Sequence, residues 1–299
     1  MRIPVDRTEV PILLRDCQYQ IYKTYDKHWS ESSPVRADPN DLATGRVSSG
    51  NPAGAGTVEF SLENREDRAT MARRGVEREK LLERLRAGEI DSAAAELRQL
   101  PGRRFVNPLR SALWCDEEAK WPAVTLLGLL TAELAERNLE SARVVMRTLA
   151  WNLTEESGGI AWGTPESMAE IMACHETLAD EYAALLVSYL REDGNFLEHE
   201  PLQRGVVWGI GRVAQVRPKL LREHDAGRHM LPYLESDDAT VRGRAAWALG
   251  VLGTVQAGTR LEVLLDDREE IRIYLDRELV GRSVGDLASQ ALSRIKSRS

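Results

Sequence analysis

Residues 231–250 read LPYLESDDATVRGRAAWALG, and this stretch decides the fold class of the chain. The acidic pair Asp237 and Asp238 precedes a run of good helix formers, which predicts a helix over Ala239–Leu252. Glycines at Gly243 and Gly250 leave room for a neighbouring helix to approach closely. The pattern is typical of one helix in a stack of helical pairs that share a continuous apolar core.

An arginine followed by a tryptophan one helical turn later recurs along the chain. The tryptophans are Trp114, Trp151, Trp208 and Trp247, which lie 37, 57 and 39 residues apart. HEAT and armadillo repeats span roughly 40–47 residues, so the spacing predicts repeats of this kind, with an insertion in the long interval. We expect the tryptophans to pack in the seam between repeats, and the arginines to pair with helix-start carboxylates such as Asp237 or Asp238.

Helical patterns fill most of the chain from residue 77 onward, and the C-terminus departs from them. Residues Ile271–Leu275 alternate in polarity, Asp276 and Arg277 can turn, and residues 278–280 can return as a second strand. Ser283 then resembles a helix N-cap with an acid, Asp286, three residues on. The sequence therefore predicts an all-α chain, an α-solenoid of HEAT/armadillo-like helical repeats with a small C-terminal β-hairpin.

The N-terminal region differs in composition from the rest. Residues 30–57 are rich in Pro, Gly, Ser, Asn and Asp, which bury too little apolar surface to offset the entropy lost on ordering. Met71 precedes the first clear helical pattern. We therefore expect residues 1–70 to be a disordered or non-native extension and residues 71–299 to form the repeat domain.

Charge and cysteine content exclude several classes of protein. The chain has 40 basic and 47 acidic residues, a net charge of −7, which argues against a nucleic-acid partner. Three scattered cysteines form neither a disulfide framework nor a zinc-binding pattern. No apolar run approaches the ~20 residues of a membrane span, and no secretory signal is visible. We expect a cytoplasmic protein without a cofactor and without a membrane partner.

The segment 231–250 resembles a HEAT-like repeat of the bilin-lyase type. More widely, residues 71–299 resemble a HEAT-like family from sulfate-reducing and related anaerobic bacteria. The motifs that carry this second resemblance are Trp151-Asn152-Leu153, residues 156–163, Pro165-Glu166, residues 192–198 and residues 202–205. The resemblance implies an α-solenoid fold and no established activity.

The loop from Glu155 to Glu166 is the first candidate site. Paired glycines beside Trp162 and carboxylates are unusual in a simple connector, and long loops often carry function. One interpretation is a loop that caps the repeat groove with Trp162 packed inside. The other is a clamp for a ligand or partner, built from Trp162 and Glu166 on the concave face.

Two further sets of residues are candidates for a binding surface. His175 and Glu176 lie among several acids, but their spacing does not suit a metal site, so solvated helix charges are favoured. Arg204, Trp208 and Arg212 share one helix face at spacings of four. They would either form a cation–π rung for an anionic partner or pack in the core with an ion pair between repeats.

Three functions are compatible with these patterns. A non-enzymatic scaffold or adaptor would bind a protein partner along its concave face, which is what solenoids supply. A cofactor-handling accessory protein, similar to bilin lyases and able to hold a tetrapyrrole, would need a pocket under the Trp162 loop. An enzyme acting on nucleic acid, similar to the HEAT-fold alkylpurine glycosylases, is disfavoured by the acidic charge. Motifs for nucleophilic or phosphate chemistry are missing from the sequence, which favours a non-enzymatic protein and leaves the question of an activity open.

Overall fold

The structure is a computed structural model, and it describes residues 77–153 and 162–298. The prediction of a disordered or non-native extension over residues 1–70 lies outside the described residues. Most of the loop predicted as a clamp lies outside them as well, because residues 154–161 are not described.

The described chain is helical apart from one β-hairpin. In chain order the α-helices are α1 (77–86), α2 (Ile90–Leu97), α3 (Val106–Ala112), α4 (Glu117–Arg137), α5 (Leu139–Asn152), α6 (Thr164–Cys174), α7 (Glu176–Ser188), α8 (Glu200–Val216), α9 (Pro218–Glu223), α10 (Ala226–Met230), α11 (Ala239–Leu252), α12 (Gly258–Val263) and α13 (Val284–Lys296). Short 3₁₀ turns lie at Leu231–Glu235, Val255–Ala257 and Leu264–Asp266. Strands β1 (Glu270–Leu275) and β2 (Glu278–Ser283) stand between α12 and α13.

Five helices form a continuous inner row. Helices α4, α6, α8, α11 and α13 each pack on the next. The helices that pack beside this row, α3, α5, α7, α9 and α12, are called outer helices. The inner helices begin at residues 117, 164, 200, 239 and 284, so successive starts lie 47, 36, 39 and 45 residues apart. This is the spacing of HEAT and armadillo repeats. The predicted α-solenoid with a C-terminal hairpin is therefore confirmed.

Small residues hold the inner helices close together, as the sequence predicts. A Cβ atom placed on Gly250 would lie 2.5 Å from the Cα of Ala291 on α13. One on Gly211 of α8 would lie 2.1 Å from the Trp247 ring on α11. These contacts leave no room for a side chain, so both glycines are required by helix-to-helix distance rather than by backbone conformation.

Local capping agrees with the sequence at two helix starts and departs from it at a third. The Asp238 side chain accepts from the backbone N–H of Val241, and Ser283 accepts from that of Asp286. Thr164 before Pro165 is the N-cap that the sequence favours for α6, but the helix already includes Thr164. Gly163 takes the cap position with a φ of 71°, a left-handed conformation that favours glycine.

The recurring tryptophans do not occupy equivalent positions, which corrects the expectation that all four pack in the seam between repeats. Trp208 and Trp247 lie on inner helices and are buried. Trp151 lies near the end of outer helix α5 and is partly buried, and Trp114 follows outer helix α3 with 52% of its surface exposed. A four-residue spacing places two side chains on one helix face, but it does not say which row that helix joins.

Candidate functional site

The β-hairpin lies back across the inner row. It follows α12, yet the Tyr274 hydroxyl is 3.0 Å from Oγ1 of Thr125 on α4, 149 residues earlier in the chain. The Arg272 guanidinium also reaches α4, donating to Glu118 over 2.8 Å. We call the surface beneath β1 the hairpin seat, and it consists of Trp121 and Thr125 on α4, Trp208 on α8 and Arg244 on α11.

Aromatic rings enclose the Tyr274 side chain. The Trp121 ring stacks on it with centroids 4.8 Å apart and planes inclined by 10°. Trp208 tilts against Trp121, with centroids 4.7 Å apart. Burial raises the pKa of Tyr274, while the Thr125 hydrogen bond lowers it less, so the phenol stays protonated at neutral pH. The seat thus binds one aromatic ring on its faces and one hydroxyl at its end.

The seat also holds the backbone of β1. The Trp208 indole N–H donates to the carbonyl of Tyr274 over 2.8 Å, and Nη2 of Arg244 donates to the carbonyl of Arg272 over 3.1 Å. Arg244 also donates to the carbonyl of Arg204. Since side chains pair with the carbonyls of alternate residues, the seat recognises an extended backbone as well as a particular side chain.

Charged groups surround the Trp121 ring. Lys120 Nζ lies 4.7 Å from the ring centroid and donates to Oε1 of the buried Glu166 over 2.6 Å. The Arg244 guanidinium lies 5.4 Å from the same centroid. Burial lowers the pKa of Arg244 while Glu166 and Glu117 raise it, and a guanidinium stays cationic at neutral pH. Three buried atoms here have no hydrogen-bond partner: Trp121 Nε1, Arg244 Nε and Glu166 Oε2.

A cavity of about 310 Å³ opens beside the seat, under the turn of the hairpin. Its walls include Thr125, Glu170, Cys174, Trp208, Arg212 and Asp276. Arg212 and Glu170 form a two-point ion pair at 2.7 and 3.0 Å. Burial, together with Glu170, raises the pKa of the Cys174 thiol to about 11. The thiol is therefore mostly neutral at physiological pH, so it reacts as a nucleophile more slowly there than at alkaline pH.

The structure brings together part of the candidate surface. Trp208 belongs to the seat, Glu166 pairs with Lys120 beside it, and Arg212 lines the adjoining cavity. Arg204 donates to Asp238, the cap of α11, so the expected ion pair between repeats is confirmed for this arginine. Burial raises the pKa of Asp238, but the guanidinium of Arg204 and the backbone N–H of Val241 together bring it below its ordinary value.

The remaining candidates are His175, Glu176 and Trp162. Nδ1 of His175 accepts from the backbone N–H of Leu178 and caps α7, and its Nε2 lies 3.5 Å from Glu136. Glu176 is exposed, 3.8 Å from Arg217. Trp162 is 37% exposed where the described chain resumes, which favours the clamp over the interpretation with its indole packed inside.

Sequence reasoning missed Trp121, Arg244 and Tyr274 as partners. Each of them has another explanation in the sequence. Trp121 begins an apolar stretch, Arg244 stands in the repeat signature, and Tyr274 belongs to the alternating pattern of the predicted strand. Their meeting depends on the direction in which the hairpin folds back, and local sequence does not carry that information.

Comparisons with known proteins address the fold. A HEAT-like repeat model matches residues 200–250, which contain α8 and most of α11. A designed armadillo repeat protein solved in complex with the peptide (KR)4 is 19% identical, with a TM-score of 0.43 over 72% of this chain and 98% of that one. An engineered protein from the Northeast Structural Genomics Consortium is 19% identical, with a TM-score of 0.45 over 74% and 92%. The curated proteins give no match.

The stacked helical pairs and the HEAT-like repeat matched at residues 200–250 show an α-solenoid fold of HEAT/armadillo-like repeats, with an extended strand on its inner row. In residues 77–153 and 162–298, no three His, Cys, Asp or Glu side chains cluster as metal ligands would. Within the same ranges, none of the helices has the length and hydropathy of a membrane span.

Proposed function

We propose that this protein is a non-enzymatic adaptor that binds an extended polypeptide segment of a protein partner on the inner row of its solenoid. The observation that carries the proposal is the hydrogen bonding of Trp208 and Arg244 to carbonyls of alternate residues of a strand. Such contacts depend on backbone rather than on sequence, and they are how proteins commonly bind extended peptides.

The binding surface that we propose centres on Trp208, with Glu166, Arg204 and Arg212 around it. It leaves out His175 and Glu176, whose contacts lie elsewhere, and Trp162, which is exposed. Opposite charges alternate across this surface through the Lys120–Glu166 and Arg212–Glu170 pairs. We therefore expect the partner segment to combine apolar residues with charges of both signs, rather than to be uniformly acidic or basic.

The tetrapyrrole-handling alternative has no support among the described residues. It requires a pocket under Trp162, whereas the cavity described above is lined by Trp208 and Tyr274, and Trp162 is not among its walls. Cytoplasmic location and the lack of a nucleic-acid partner stay predictions from the sequence.

Selection from a displayed library of random dodecamer peptides tests the proposal with the full chain as target. We expect the selected peptides to bind Trp208→Phe about 2- to 10-fold more weakly, because phenylalanine keeps an aromatic ring but removes the N–H donor. Trp162→Ala is the matched control and should leave binding unchanged. Peptides sensitive to Trp162→Ala but indifferent to Trp208→Phe would place the site on the loop and contradict the proposal.

A further inference from the structure

The hairpin occupies the seat through contacts that another polypeptide segment can also make. Its contacts with α8 and α11 use the carbonyls of Tyr274 and Arg272, which any extended chain also offers. Its ion pairs with α4 join Arg272 to Glu117 and Glu118, and all three side chains are more than a third exposed. Exposed pairs of this kind contribute little to binding. Nothing in these polar contacts is specific to the hairpin.

The seat has hydrogen-bonding capacity that the hairpin does not use. Trp121 Nε1 and Arg244 Nε are buried donors without acceptors, and Glu166 Oε2 is a buried acceptor without a donor. Buried polar groups are nearly always paired, because an unpaired group loses its contact with water and gains nothing in return. Trp121 and Arg244 belong to the seat, and Glu166 lies beside it, paired with the lysine that contacts Trp121. The hairpin therefore leaves polar atoms in and beside the seat without hydrogen-bond partners.

The tip of the hairpin is also strained and poorly supported. Asp276 and Arg277 have φ angles of 51° and 67°, a left-handed conformation that is unfavourable for residues other than glycine. The cavity of about 310 Å³ lies beneath this turn, so the tip lacks close packing on α6 and α8. Two-stranded hairpins are at best marginally stable alone, so the order of this one depends on its contacts with the inner row.

We infer that the hairpin is an internal mimic of the partner, and that a partner segment carrying a tyrosine between apolar residues displaces β1 from the seat. The inference rests on the proposed function and names its partner and its regulation. The template is β1 itself, in which Ile271, Ile273 and Tyr274 are buried while Arg272 is exposed. A partner that also offers an acceptor to Trp121 Nε1 or Arg244 Nε, which the hairpin leaves unpaired, outcompetes the hairpin.

A covalent bridge across the cavity tests the displacement. Cys174 on α6 and Asp276 in the turn line the same cavity. In the full chain carrying Cys17→Ser, Cys115→Ala and Asp276→Cys, a bis-maleimide links the turn to α6. The same variant treated with N-ethylmaleimide carries both modifications without a link and is the matched control. The probe is a fluorescent synthetic peptide of residues 269–280, and its Tyr274→Ala version reports non-specific binding.

We expect the peptide to bind the unlinked chain at least tenfold more tightly than the linked chain, because binding requires that β1 leave the seat. Tyr274→Ala in the chain should strengthen peptide binding by about the same factor, since it weakens the internal competitor. Equal binding to the linked and unlinked chains, or binding to neither, overturns the inference.

The library-selected peptides separate this inference from the proposed function. If they bind the linked and unlinked chains equally, the inner row binds partners beside a permanent hairpin, and the displacement alone is overturned. If selection yields no peptide that depends on Trp208 while the probe still exchanges with β1, the proposed partner binding fails and the exchange of the hairpin stands.

Discussion

The Arg–Trp pairs at 110–114 and 204–208 have the same spacing in the sequence and opposite surroundings in the fold. Trp208 is 1% exposed and bonded to the backbone of Tyr274, whereas Trp114 is 52% exposed at the end of an outer helix. Arg204 pairs with the cap of the next inner helix. The comparison shows that the repeated Arg–Trp spacing identifies two residues on one helix face. The row to which the helix belongs decides whether that face is buried in the core, forms part of the binding surface or is exposed.

The largest effect in this comparison is expected for Trp208→Ala. The substitution removes a fully buried indole and leaves a cavity, which costs about 3–5 kcal/mol of the free energy of unfolding. It also leaves the Tyr274 carbonyl without its donor. Unfolding in guanidinium chloride, followed by circular dichroism, measures the change. A loss below about 1 kcal/mol would mean that the hairpin and Trp208 are not packed as described.

Gly211→Ala tests the seam between α8 and α11 directly. Its new Cβ would lie 2.1 Å from the Trp247 ring, so one of the two helices must shift. Overpacking of this kind costs about 1–3 kcal/mol in the free energy of unfolding. Gly281→Ala on strand β2 is the control, because a Cβ there meets no atom within 4 Å. Equal effects of the two substitutions on thermal unfolding would be inconsistent with the close seam.

The Arg204–Asp238 pair should add a small, pH-dependent contribution. Because the pKa of Asp238 is lowered in the folded state, the stabilisation is present above the ordinary carboxyl pKa near 3.9 and is lost as the pH falls below it. Arg204 is partly exposed, which limits the contribution to about 0.5–1 kcal/mol.

Asp238→Asn keeps an N-cap and removes the charge, so it isolates this contribution. Free energies of unfolding measured between pH 7 and pH 3 should differ between variant and wild type at neutral pH and converge at the acid end. A constant difference across this range would assign the effect to the cap rather than to the ion pair.

The smallest effect is expected for Trp114→Ala, the counterpart of the first prediction. An exposed side chain away from special features usually changes the free energy of unfolding by no more than about 0.5 kcal/mol. The same denaturant titration measures it. A loss comparable to that of Trp208→Ala would show that both tryptophans belong to one buried seam after all.

The sequence predicts the fold well because the fold depends on local signals. Helix-forming runs and the cap at Ser283 each act within a few residues, and the structure confirms them. The hairpin was also predictable, since alternation over Ile271–Leu275 and a two-residue turn are local features. The row to which each tryptophan belongs depends on how the helices stack, so the sequence left it undetermined.

The candidate site was predictable only in part. Trp208 and Arg212 were found because they share a helix face. Tyr274 was not, because its contact with Thr125 joins residues 149 positions apart and depends on the hairpin folding back over the inner row. Glu166 was expected in a loop clamp, but it lies in the first turn of α6, where it is buried and accepts from Lys120.

Hydrogen exchange of the indole N–H groups tests the central claim, that an extended strand lies on the inner row and is held there by Trp208. The chain has seven tryptophans, and Trp208→Phe and Trp114→Phe assign the two resonances of interest in a ¹⁵N-labelled sample. We predict that the Trp208 indole proton exchanges at least tenfold more slowly than that of exposed Trp114. Exchange of both protons at the rate of free indole would contradict the account.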